Sequence, residues 1–162
     1  MSDSRPVGNC HCRRRKPPVR SVGDSTDPRQ ESAHPLAARK VIAAAEAEAI
    51  KRGLGVVIVV VDDSGTVIQL SRMDAAQVAS VNVGIGKART AAIYRRPSRV
   101  FEEQIRDGRV AALALADATP LQGGVPILIN SKVVGAVGVS GDSPQVDEEI
   151  AIAGAKVIAN PK

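Results

Sequence analysis

The chain has almost no aromatic side chains. It contains no tryptophan, one tyrosine (Tyr94) and one phenylalanine (Phe101) among 162 residues. That excludes the stacking platforms on which proteins commonly hold single-stranded nucleic acid, and it leaves Val, Ile, Leu and Ala to build the core. Cysteine is equally scarce: both copies, Cys10 and Cys12, lie near the N-terminus, so the remainder cannot be a disulfide scaffold. The only histidine beyond that region is His34, and a Ser-His-Asp arrangement would depend on this one boundary residue. No apolar run is long enough to span a bilayer, and none near the N-terminus has the form of a signal-peptide core. A cytoplasmic protein without membrane contact is the expectation.

What is present argues for one packed domain. Hydrophobic residues make up 44% of the chain, enough to favour a globule over a disordered polymer. The net charge of +5 is unevenly spread. Residues 1–33 carry seven Lys/Arg against four Asp/Glu, and residues 34–162 carry fifteen against thirteen. The basic character belongs partly to the extension, so the domain is not read as a nucleic-acid binder.

Residues 1–33 read as a disordered basic extension, with Pro6, Pro17, Pro18 and Pro28 and no apolar periodicity. Within it, Cys10, His11 and Cys12 are metal-ligating residue types, and Arg13 to Lys16 could meet an anionic surface. A tetrahedral zinc site needs a distant second pair of ligands, so no metal site is assigned. A short charge run of this kind is usually solvated.

The domain expected over 34–162 opens with a helix. Pro35 suits its first turn, Ala38, Ile42, Ala45 and Ala49 form an apolar stripe, and Gly53 suits its stop. Val56–Val61 and Thr66–Leu70 flank the turn residues Asp62-Asp63-Ser64-Gly65, which predicts a hairpin. A second helix is predicted on the stripe Val78, Val81, Ile85, Ala88 and Ala92. It contains Gly84 and Gly86, each costing about 1 kcal/mol in a helix, which a close approach to another backbone would explain. After Pro97, Ser98 could cap a short helix closed by Gly108. Residues 110–120 are ambiguous between helix and strand. Val125–Ile129 and Val133–Val139 predict a second hairpin. Ser143-Pro144 begins a last helix with the stripe Val146, Ile150, Ala153 and Val157. Hairpins separated by helices imply an α+β fold, an antiparallel sheet of four or five strands with helices packed on it.

The glycine motifs fail the phosphate tests. Gly86-Lys87 lacks the P-loop's earlier glycine, because Val81 stands there, and Ala88 replaces the required hydroxyl. Gly84 and Gly86 begin a dinucleotide fingerprint, but Arg89 occupies the third glycine position. Asp62 and Asp63 sit where a strand becomes a turn and could serve as acid or base, or simply make turn hydrogen bonds. Arg72 and Asp74 bracket Met73 at the hairpin exit, where they could pair or cap the next helix. Lys87 lies off its helix's apolar stripe and could bind an anion or form a surface ion pair. Gly123 and Gly124 suit a sharp strand start, Gly135 and Gly138 mark a bulge or close neighbour, and Ser140-Gly141 make the turn into the final helix.

In order, "VVDDSGTVIQLSRMDAA", "GKARTAA", "LQGGVPI", "VVGAVGVSG" and "DEEIAIAGA" resemble the GlcG/HbpS family across about residues 36–158. This family is sometimes called haem-degrading, and it includes the C-terminal domain of some corrinoid adenosyltransferases. The resemblance implies an α-β-α sandwich of profilin/PAS-like form, assembly into homo-oligomers, and a small-molecule-binding or accessory role in a catabolic pathway. Haem is the cofactor it brings into question; haem binding or degradation and an enzyme acting on a small organic acid are the alternatives. It marks Arg72, Asp74, Lys87, Gly123, Gly124, Ser140 and Gly141 as candidate ligand-binding positions, with Asp147 a further family-pattern position. An axial haem ligand would come from His34, Met73, Tyr94 or the Cys10-His11-Cys12 run.

Overall fold

The structure, a computed structural model, describes residues 35–159. The basic extension, with Cys10, His11 and Cys12, lies outside the described residues, as does His34. Helix α1 (Pro35–Lys51) leads into the hairpin β1 (Val57–Asp62) and β2 (Val67–Arg72). Helices α2 (Ser80–Ile93) and α3 (Arg99–Arg106) follow, then a short 3₁₀ turn at Val110–Ala114. The hairpin β3 (Gly124–Ile129) and β4 (Lys132–Ser140) and helix α4 (Pro144–Ala159) complete the fold. The ambiguous stretch 110–120 therefore supplies no strand. No helix among the described residues is long and apolar enough to cross a membrane.

The two hairpins join through their inner strands. The order is β2-β1-β4-β3, all antiparallel, with β1 and β4 central. Asn130 and Ser131 both take positive φ in the β3–β4 turn, the backbone that a two-residue hairpin turn requires. Both faces of β1 are covered, which is why its sequence is an unbroken Val/Ile run instead of an alternation. Val56, Ile58 and Val60 face α1 and α4, with Val137 and Val139 beside them. Val57, Val59 and Val61 face α2, with Ala136. This is the expected α-β-α sandwich, with four strands.

Two helices bury part of their apolar stripes, with the buried face shifted toward smaller residues. On α2 the buried residues facing the sheet include Gly84, Lys87, Ala91 and the stripe residues Ala88 and Ala92, while Val81 and Ile85 are partly buried on its flank and Val78 is exposed. The reason is proximity. A Cβ on Gly138 of β4 would lie 2.2 Å from the Gly84 carbonyl oxygen and 2.5 Å from the Ala88 nitrogen. Backbone rests nearly on backbone, and only small residues fit between. On α4 the buried residues are Asp147, Glu148, Ile150, Ala151, Gly154 and Ala155, and Val157 is exposed. The face keeps Ile150 of the predicted stripe but leaves Val157 outside, because Gly154 packs against α1 near the Val41 carbonyl and Asp147 is anchored inside.

These contacts rank two glycine substitutions. Gly138→Ala must push α2 away from β4, at the roughly 1–3 kcal/mol or more of an overpacked core. Gly84→Ala meets the Val59 side chain at 3.3 Å and the Val57 side chain at 3.6 Å, with no backbone atom nearer than 3.9 Å. Urea denaturation is expected to give a clearly lower midpoint for Gly138→Ala than for Gly84→Ala; equal midpoints would contradict the packing.

Candidate functional site

The strand register gathers the candidate residues at one end of the sheet. Val57 opposes Arg72 on one side and Ser140 on the other, and Gly124 opposes Gly138 on the far strand. Asp74 follows Arg72, Gly141 follows Ser140, and Gly123 precedes Gly124, so all of them share this rim. Asp62 and Asp63 lie at the opposite end, where Asp62 opposes Gly135.

Lys87 reaches the rim from α2. Its ammonium is buried and donates to Asp147 Oδ2 at 2.7 Å and to the Val139 carbonyl at 3.0 Å. The side chain passes the corner where β3 begins. Val139 gives its N–H to the Gly123 carbonyl, and Lys87 caps the Val139 carbonyl, which lies beyond the first residue of β3. Gly123 makes room: at φ +124 it takes a conformation that favours glycine, and a Cβ there would stand 2.9 Å from Lys87 Nζ. Gly124 lies against the Lys87 carbonyl, where a Cβ would approach to 2.1 Å. The surface ion pair that Lys87 could have formed is instead a buried one.

Asp147 receives the ammonium from the other face of the sheet. It lies in the first turn of α4, where a carboxylate is favoured by the helix dipole, and its Oδ1 accepts the Asp142 N–H at 3.1 Å. Burial pushes the Asp147 carboxyl up from its ordinary pKa, against the downward pull of the Lys87 hydrogen bond and charge.

A second polar layer fixes the start of β3. Ser98 is fully buried and does not cap α3. Its hydroxyl instead accepts the Gly124 N–H at 2.8 Å and donates to the Leu121 carbonyl at 2.6 Å. The Gln122 N–H is accepted by Glu102, and the Gln122 side chain donates to Glu148 at 2.7 Å. Arg99 Nε pairs with Glu148 at 3.2 Å. Sequence reasoning missed Ser98, Glu102, Gln122 and Glu148; only the polar character of Ser98 directly after Pro97 gave a signal, and that signal also fits a helix cap.

The rest of the rim is close-packed backbone. A Cβ on Gly141 would lie 2.8 Å from Val56 Cα, and one on Gly55 would lie 2.6 Å from the Ala75 Cβ. Arg72 is exposed, and its Nη2 donates to the Ala76 carbonyl at 3.1 Å, leaving Asp74 exposed in the turn. Ser140 is buried on the side facing α2. Of the two candidate cations, Arg72 is the exposed one, while Lys87 is committed to Asp147.

At the opposite end, Asp62 Oδ1 accepts from the Ser64 N–H, the Ser64 hydroxyl and the Thr66 N–H. Partial burial raises its pKa, but these donors together outweigh that and hold it below its ordinary value. Asp62 therefore organises a turn.

The family described as "Haem degrading protein HbpS-like" matches residues 35–156. Protein GlcG of Escherichia coli K12 is 42% identical over 103 residues, covering 64% of this chain and 77% of GlcG. The crystal structure of Klebsiella pneumoniae protein ORFY superposes with a TM-score of 0.74 at 28% identity, over 80% of this chain and 92% of that one. The crystal structure of HbpS superposes with a TM-score of 0.73 at 30% identity, over 78% and 90%.

Two outcomes follow from the geometry. Gly123→Ala is expected to destabilise the fold by displacing Lys87, at the 1–3 kcal/mol typical of overpacking; unchanged thermal stability would show that the corner has slack. For Asp62, the folded pKa is depressed, so its ionised form contributes stability above the unfolded pKa and loses it as pH falls through the lower folded pKa. Asp62→Asn should therefore flatten the acid limb of a stability-against-pH curve, and an unchanged acid limb would remove Asp62 as its cause.

Proposed function

The chain belongs to the HbpS-like family, and from that premise we propose that it is a small-molecule-binding accessory protein whose ligand, a small organic anion, sits at the sheet rim. The observation that carries this reading is the convergence of Arg72, Asp74, Gly123, Gly124, Ser140 and Gly141 on one end of the sheet, with Arg72 exposed among them. A guanidinium pairs with a carboxylate through charge-assisted, often bidentate hydrogen bonds. Arg72 takes the countercharge role for which Lys87 was the other candidate. Lys87 and Gly123 shape the rim from below. Assembly into a homo-oligomer in the cytoplasm is part of the same proposal; the exposed Val78, Val110 and Leu113 give such an assembly apolar surface to cover.

An enzymatic role on an organic acid has less support. Lys87 is held by Asp147, and Asp62 is bound into a turn at the far end of the sheet. Asp74 remains as an exposed carboxylate beside Arg72.

Haem, which the family description brings to this chain, needs an axial iron ligand from the protein. Residues 35–159 contain no histidine or cysteine. Tyr94 gives its hydroxyl proton to the Ala116 carbonyl at 2.7 Å, and Met73 is packed against the core. The described residues do not fit an iron bond.

A thermal-shift screen of small carboxylates and hydroxy acids, followed by titration calorimetry of any stabilising compound, tests the rim. Arg72→Ala is expected to weaken binding about tenfold or more, the worth of one charge-assisted hydrogen bond, while the variant melts as the wild type does. Undiminished affinity in Arg72→Ala would overturn the assignment.

A further inference from the structure

We propose that the ligand of the rim is a short hydroxy acid, with its carboxylate on Arg72 and its hydroxyl read by Ser80 and Ser140. This rests on the anion site proposed above and adds the face on which the ligand lies and the second group it carries. Arg72 opposes Val57 on β1, and Val57 opposes Ser140 on β4. Residues directly opposed in an antiparallel sheet point to the same face, and Val57 packs on the α2 side. Arg72, Val57 and Ser140 therefore form one row across the rim, under α2. Neighbouring strands lie about 4.8 Å apart, so the ends of the row are roughly 10 Å apart at Cα. The Arg72 guanidinium leans toward the start of α2, where it holds the Ala76 carbonyl. Ser80 faces the row from above. It begins α2 and is buried there, one turn before Gly84 and on the same side of the helix. Gly84 in turn lies over Val57 and Val59.

The two serines share one property. Ser80 is 5% exposed and Ser140 6%, yet neither hydroxyl bonds to another described residue. The buried hydroxyls of Thr90 and Ser98, by contrast, each donate to a carbonyl. No fully enclosed side-chain oxygen or nitrogen among the described residues lacks a partner. Each serine hydroxyl therefore meets solvent through the small area its residue leaves open, with its bonding capacity unfilled by protein. Charge sets what can enter. Lys87 is held by Asp147, and Asp142, two residues after Ser140, is exposed, so a second carboxylate on the ligand would meet a like charge at that end. A hydroxyl fits, because it can donate to one serine oxygen and accept from the other. An acid without one leaves both serines unpaired, and a site built to bond a hydroxyl rejects the analogue that lacks it.

Titration calorimetry of the full chain with butyrate, 2-hydroxybutyrate, 3-hydroxybutyrate and succinate tests the assignment. One of the two hydroxy acids is expected to bind about tenfold tighter than butyrate, and succinate no tighter than butyrate. Ser80→Ala and Ser140→Ala should each reduce that preference about threefold, leave the affinity for butyrate unchanged, and melt as the wild type does, since neither hydroxyl holds the fold together. Equal affinity for butyrate and both hydroxy acids, tighter binding of succinate, an undiminished preference in either serine variant, or a lowered melting temperature in both would overturn the proposal and leave Arg72 in its role. Binding of none of the four acids, or binding indifferent to Arg72→Ala, would instead overturn the anion site on which the proposal rests.

Discussion

The buried Lys87–Asp147 pair holds two layers of the sandwich in register. Lys87 belongs to α2 on one face of the sheet, and Asp147 belongs to α4 on the other. Their 2.7 Å contact runs past the corner where β3 begins. A buried charge is tolerated only when it is paired and hydrogen-bonded, and each end of this pair has a further partner: the Val139 carbonyl for Lys87 and the Asp142 N–H for Asp147. The glycines follow from this constraint. Gly123 clears the ammonium's path, Gly124 lets β3 lie on the α2 backbone, and Gly138 lets α2 lie on β4. The small-residue face of α2 serves a long lysine that must travel close to the sheet.

The same pair separates structural from ligand-facing chemistry at the rim. A lysine in a glycine-rich corner has the composition of an anion site. Here its donors are directed at Asp147 and a strand carbonyl, and the exposed positive charge falls to Arg72, two strands away. The Ser98, Glu102, Gln122 and Glu148 layer then fixes the loop that carries Gly123. A ligand at the rim would meet a surface whose shape is set from beneath by groups it does not touch.

The elements of the fold were legible because they depend on short-range pattern. The Val56–Val61 run announced a hairpin strand, Asp62 to Gly65 its turn, and Pro35 and Pro144 the starts of helices. Helix faces were less legible. Apolar periodicity found Ala88 and Ala92 on α2 and Ile150 on α4, which are buried, but it also included Val78 and Val157, which are exposed, because periodicity scores hydrophobicity and is blind to clearance. Where backbone meets backbone, a glycine or alanine faces inward and larger apolar residues are displaced to the flank. Of the candidate site, the shared location at one sheet end required the β1–β4 pairing to be seen. The pairing of Lys87 with a residue 60 positions away had no local sign, since a lysine off an apolar stripe ordinarily points to water.

The most direct measurement of this account is a double-mutant cycle on the pair, read by chemical denaturation. Breaking a buried ion pair leaves one charge uncompensated and costs about 3–5 kcal/mol, whereas replacing both partners with apolar groups is often close to neutral. Lys87→Met alone is expected to be strongly destabilising, and Lys87→Met combined with Asp147→Leu to recover most of the loss. A Lys87→Met protein as stable as the wild type, or a double variant no better than the single, would contradict the claim that this pair joins the two faces of the sandwich.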